Sequence, residues 1–156
     1  MLGRVAIVLA CALCPALSGA QSVSADRASA EEFFAKYIAL ESAFDPALAD
    51  LYSNSAVIRA YRRYPDGTER SMSFSAGQWK ALIAQGMPAA ESMGDRSTYS
   101  NVRISIRGAD ARIEAHRYSV RKCYTDQRYY MLLQRQSNGE YLIVEEYAET
   151  QPESDC

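Results

Sequence analysis

The chain has 156 residues, 48% of them hydrophobic, with 17 basic and 19 acidic side chains, one histidine and four cysteines. That near-neutral balance excludes the basic footprint of a nucleic-acid binder, and the length suits one domain rather than two. One histidine beside scattered cysteines falls short of the four ligands a zinc site needs, so neither metal nor cofactor is expected.

The first twenty residues, MLGRVAIVLACALCPALSGA, run from a cation at Arg4 through an apolar stretch to small residues at Ser18 and Ala20. This is the order of a secretory signal peptide, with cleavage expected after Ala20. The apolar stretch is shorter than the roughly 20 residues of a membrane-spanning helix. Lipid attachment at Cys11, behind Val8-Leu9-Ala10, would leave a very short apolar core and is the lesser reading. An exported protein, periplasmic or secreted and free of the membrane after cleavage, is therefore expected. Removal of residues 1–20 takes Cys11 and Cys14 with it and leaves Cys123 and Cys156, which an oxidising compartment is expected to pair. That bridge would pin the polar tail 151–156 and contribute roughly 3 to 4 kcal/mol through loop entropy. Separate thiols, or Cys123 as a nucleophile with His116 as its base, are the weaker readings. A seven-residue spacing along a regular strand sends those two side chains to opposite faces.

After a flexible lead, 21–28, Ser29-Ala-Glu-Glu32 reads as a capping box, and Phe33, Phe34, Tyr37 and Ile38 give the following helix one apolar stripe. Asp45-Pro46 predicts an N-cap and first turn for a short second helix with Leu48, Leu51 and Tyr52 inward. Stretches 56–64 and 68–74 flank Pro65-Asp66-Gly67 and predict a hairpin. Ser75-Ala-Gly-Gln78 is a second capping box, opening a helix with Trp79, Leu82 and Ile83 on one side that Gly86 and Pro88 are expected to stop. Four strands follow, 98–107, 111–123, 127–135 and 140–149. Asn138-Gly139 supplies a two-residue turn that pairs Met131 with Glu146, Leu133 with Val144 and Tyr130 with Tyr147. In the second of the four, Ile113 and Ala115 fall in one phase and Tyr118 and Val120 in the other, which predicts a bulge there.

Helix, helix, strand, strand, helix and four strands make an α+β domain over 29–150: a curved, mostly antiparallel sheet of about six strands with three helices on its concave face. In KYIALESAFDPALADLYSNSAVI and SNGEYLIVEEY the chain resembles the nuclear-transport-factor-2-like superfamily, the cystatin-like cone whose relatives include SnoaL-like and ketosteroid-isomerase-like proteins. The resemblance implies a cavity between sheet and helices, and a sheet face through which members often dimerise. It also implies a test for isomerase chemistry. Tyr37 matches the tyrosine of that chemistry, but the positions of its two carboxyl groups fall near Ala60 and Met131, which cannot move a proton.

Tyr37, Trp79, His116, Tyr118, Met131 and Glu146 are the candidate ligand-binding residues. His116, with Glu114, Tyr118 or Glu146 as partner, is the weak catalytic candidate. Residues 96–135 hold nine basic and three acidic side chains, and 140–155 six acidic and none basic, so cross-strand ion pairs are expected. Arg117, Arg121, Arg128, Tyr124, Tyr130 and Tyr147 form a candidate protein interface, because arginine and tyrosine are enriched in interfaces. The expectation is a non-catalytic binding protein holding a small apolar molecule in the cavity or a protein on the sheet, such as an inhibitor or immunity protein, or a second copy of itself. The alternative is a small isomerase or dehydratase using His116 on a cyclic substrate.

Overall fold

A computed structural model describes residues 17–151, with side chains from residue 22. The first helix, α1, is Leu17–Ser42. It does not begin at the expected capping box: Ser29 Oγ donates to the Ala25 carbonyl at 3.1 Å, a bond made inside a helix. Residues 22–28 contain neither glycine nor proline, so nothing interrupts the helix. They are helical rather than a flexible lead, and are tied down by Asp26 to Arg135 at 2.6 Å and by Arg27 to the Ile104 carbonyl at 2.8 Å. Ala30, Phe33, Phe34 and Tyr37 form the buried stripe. The helix ends with Phe44 in the left-handed region (φ 54), where Asp45 N–H reaches back to Leu40 and Phe44 N–H to Glu41. A non-glycine there costs about 1–2 kcal/mol, offset by burial of the Phe44 ring.

Asp45 caps a 3-10 helix, Pro46–Leu51, through its side chain on Ala47 N–H at 2.8 Å. The hairpin follows, β1 at Tyr52–Arg63 and β2 at Glu69–Ser75. Ser75 and Gln78 form the predicted capping box of α2, Ala76–Met93, which runs through Gly86 and Pro88 to a left-handed Gly94. The remaining strands are β3 at Ser97–Arg107, β4 at Asp110–Ser119, β5 at Tyr124–Arg135 and β6 at Tyr141–Thr150. The six form one sheet in the order β2-β1-β6-β5-β4-β3. Only β1 and β6 pair in parallel, and both helices and the 3-10 turn pack against the sheet.

Bulges decide which side chains face inward. The turn after β5 has three residues, 137–139, not two: Gln136 N–H bonds the Glu140 carbonyl at 2.7 Å, and Gly139 takes φ 87. Leu133 therefore pairs with Ile143 rather than Val144. Val144 then has no partner on β5, and the extra residue restores the predicted register, so that Met131 faces Glu146 and Tyr130 faces Tyr147.

The bulge expected in β4 lies in its neighbours instead. Asn101 (φ 53) and Val102 of β3 stand opposite Ala115, and Gln127 and Arg128 of β5 stand opposite His116. Strand β4 alternates without interruption, burying Ala111, Ile113, Ala115 and Ser119. The β5 bulge is fastened by Asp126, which is 1% exposed. Its Oδ1 accepts from Arg128 N–H at 2.8 Å and its Oδ2 from Glu149 N–H at 2.5 Å.

Candidate functional site

The end of α1, the 3-10 helix and α2 enclose, against β1, β4 and β6, a cavity of about 450 Å³ with an open mouth. Its α2 wall is apolar, made by Trp79, Leu82, Ile83, Met87 and Met93. Its floor carries Glu146, 3% exposed. Without the slip at Val144 the inward phase of Tyr141 and Ile143 would have continued to Glu145 and turned Glu146 outward.

Three tyrosine hydroxyls donate to this carboxylate. Tyr37 and Tyr129 reach Oε1 at 3.0 and 2.8 Å, and Tyr52 reaches Oε2 at 2.5 Å. Each comes from a different element, α1, β5 and the start of β1, so the cluster ties three parts of the fold together. Burial pushes the Glu146 carboxyl above its usual range, opposed by the hydrogen bonds of Tyr52 and Tyr129, the charge of Arg117 and the bond from Tyr37. Burial and the neighbouring carboxylate raise all three tyrosines well above their ordinary value.

A second polar group sits alongside. Tyr99 OH donates to Glu41 Oε2 at 2.8 Å, and Arg117 Nη2 stands 3.7 Å from Glu41 Oε1. The Tyr99 ring lies 5.4 Å from that of Tyr129, which joins the two groups. A second depression, of about 530 Å³, lies between α1, the 3-10 helix and Gly139–Leu142, and its charged rim of Glu32, Lys36, Asp50 and Glu140 has no comparable buried cluster.

Of the six ligand-binding candidates, Tyr37, Trp79 and Glu146 line the cavity. Met131 lies beside Glu146 in the sheet but is fully buried and belongs to the core. His116 and Tyr118 are on the other face, because uninterrupted alternation along β4 sends even-numbered residues outward. His116 Nδ1 lies 2.9 Å from the Asn101 amide in a shallow dip with Val102 and Arg103, and Tyr118 is 37% exposed. Glu146 therefore cannot serve His116.

Of the six interface candidates, Arg117 points into the cavity wall. Tyr130 and Tyr147 stack on the outer face at 5.5 Å, with the Arg112 guanidinium 3.9 Å over Tyr130. Tyr124, Arg128 and Tyr147 converge on Glu149. Arg121 lies in the turn between β4 and β5. The Cys123–Cys156 pair rests on a residue outside the described range, as do the tail 152–156 and most of the signal segment. Among the described residues no group of three or more His, Cys, Asp or Glu could hold a metal ion.

Sequence reasoning missed Tyr52, Tyr129, Tyr99 and Glu41 as site residues. Tyr52 was legible as an inward residue beside Leu51, and Tyr129 shares the face of Met131, two residues on. Nothing local says that either meets Glu146.

An α+β cone with a buried acid at the bottom of a small cavity is the class this architecture defines. The chain has the NTF2-like, cystatin-like fold. A solved NTF2-like protein with a cystatin-like fold from Novosphingobium aromaticivorans is similar with a TM-score of 0.61 and 16% identity, over 93% of this chain and 94% of that one. A candidate dehydratase of the NTF2-like family from Streptomyces avermitilis is similar at 0.54 and 12%, over 81% and 96%. A candidate ketosteroid isomerase from Shewanella frigidimarina is similar at 0.52 and 16%, over 76% and 93%. No protein-family model matches the chain, and no curated protein matches its sequence.

Proposed function

We propose that this is an exported binding protein whose cone cavity holds one small, mostly apolar molecule, oriented by the Glu146 cluster. The observation that carries the reading is the pairing of an apolar wall on α2 with a single buried carboxylate held in place by three hydroxyls. Apolar area supplies the affinity of such a site, and a few placed polar groups supply its orientation. Export rests on the order of residues 1–20, and pairing of Cys123 with Cys156 belongs to the same proposal. A protein partner or a second copy would meet the outer face around Tyr130 and Tyr147.

Trp79 is the only tryptophan of the chain and lines the cavity, so its fluorescence reports occupancy. Small bicyclic probes such as 1-indanol and 1-indanone should change that fluorescence saturably. Gly86→Leu, at a wall position where a side chain would begin in open space, should weaken the response. A flat response in the wild type to these and to the corresponding bicyclic amine contradicts the proposal.

A second reading is favoured by one observation: burial raises the proton affinity of Glu146 within reach of a bound molecule. The site would then move protons, as a dehydratase or a ketosteroid isomerase does, the activities assigned to the Streptomyces and Shewanella proteins. Exchange of the α-protons of 1-indanone for deuterium, followed by NMR, separates the two. Acceleration by the wild type and not by Glu146→Gln makes the protein an enzyme.

A further inference from the structure

The arrangement of protons on the cavity floor restricts what can bind there. A tyrosine hydroxyl has one proton, and Tyr37, Tyr52 and Tyr129 each direct theirs at Glu146. Their remaining capacity is lone pairs, which only accept. A carboxylate offers about four acceptor positions. Oε1 takes two donors and Oε2 takes one, which leaves one position on Oε2. An ionised Glu146 thus gives a floor built from acceptors, and a group reaching it must donate.

Charge narrows the class further. The cavity lining holds three acids, Glu41, Asp95 and Glu146, against one base, Arg117. Arg117 is within ion-pair distance of Glu41, and among the described residues no ion pair reaches Glu146 or Asp95. The surplus is negative, which disfavours a carboxylate or phosphate ligand. The rings of Tyr52 and Trp79, 6.5 Å apart and steeply inclined, both line the cavity.

We infer that the cavity takes a small apolar amine, bound as its ammonium ion, with one N–H on Glu146 Oε2 and its hydrocarbon body against α2. This rests on the reading of the cavity as a small-molecule site. A ketone of the same shape brings only acceptors to the floor and leaves its oxygen unpaired there. An alcohol brings a donor without the charge and ranks between the two.

The test compares 1-aminoindane, 1-indanol and 1-indanone, which share one bicyclic body, by Trp79 fluorescence at pH 7.5. The amine should saturate the signal at a concentration about tenfold or more below the ketone, a preference of the size a charge-assisted bond provides. Glu146→Gln should abolish that preference. His116→Ala, on the outer face of the sheet, should keep it. Should Glu146→Gln fail to fold, the ranking of the three probes in the wild type decides. If the ketone or the alcohol binds as tightly as the amine, or if the preference survives Glu146→Gln, the amine class is refuted while the cavity stands as a ligand site. No saturable response to any of the three refutes the ligand site and the amine with it.

Discussion

Glu146 stands opposite Met131 because Val144, two residues earlier on β6, has no partner on β5. A three-residue turn displaces the register by one, and the unpaired Val144 displaces it back. One residue's slip therefore separates a carboxylate in the cavity from a carboxylate on the outer face, where Glu145 bonds Tyr130.

Burial of Glu146 gives the fold a pH dependence of definite sign. Its carboxyl is raised above the ordinary glutamate value of 4.5, chiefly by burial, so between that value and the raised one the folded state binds more protons than the unfolded chain. Its contribution to stability is fully present below about 4.5 and is lost as pH rises through the folded value. Asp126, also raised by burial, adds a slope of the same sign. Urea denaturation across this range should show that slope in the wild type and a shallower one in Glu146→Gln. Equal slopes would place Glu146 in solvent.

The three tyrosines differ in consequence. Tyr52 is the one hydroxyl on Oε2, whereas Tyr37 and Tyr129 share Oε1. Tyr52→Phe should cost about 1.5–3 kcal/mol, the range for a hydrogen bond to a charged group, and exceed the loss in Tyr37→Phe. Chemical denaturation of the two variants checks the order, and the reverse order would contradict the assigned geometry.

Much of the fold was legible because its signals are local. Asp45 capping a proline-led turn and Ser75 with Gln78 act within a few residues, and each appears where it was expected. The first capping box failed because Ser29 can serve a helix interior as readily as an end once nothing upstream stops the helix. Pro88 failed as a stop because α2 runs on to a left-handed glycine at Gly94. The candidate site was legible only by half. Tyr37, Trp79 and Glu146 followed from periodicity and register, but the meeting of Tyr37 with Glu146 spans 109 residues of sequence, and no local pattern encodes it.

Asp126 acts through the backbone. Its carboxylate takes the N–H groups of Arg128 and Glu149 where the β5 bulge interrupts the ladder, and the bulge in turn switches the inward phase from Asp126 to Tyr129. Asp126→Ala leaves both donors without an acceptor and should destabilise the fold by about 3 kcal/mol. A loss below about 0.5 kcal/mol, the usual size of a surface change, would show that the clasp is unimportant.

His116 should be dispensable. It lies on the outer face beside Asn101, so His116→Ala should leave probe binding unchanged and alter stability by no more than about 0.5 kcal/mol. Calorimetry and the Trp79 titration measure both, and loss of binding would return this residue to the site.

The ligand site requires an ionisable Glu146 inside a cavity that admits a small molecule. Carbon-13 NMR of protein labelled at its glutamate carboxyl carbons, titrated with acid in the presence and absence of 1-aminoindane, observes that group directly. One resonance, absent in Glu146→Gln, should titrate above the ordinary value of 4.5 and move when the amine is added. Carboxyl carbons that all titrate together near that value, with none responding to the amine, would contradict it.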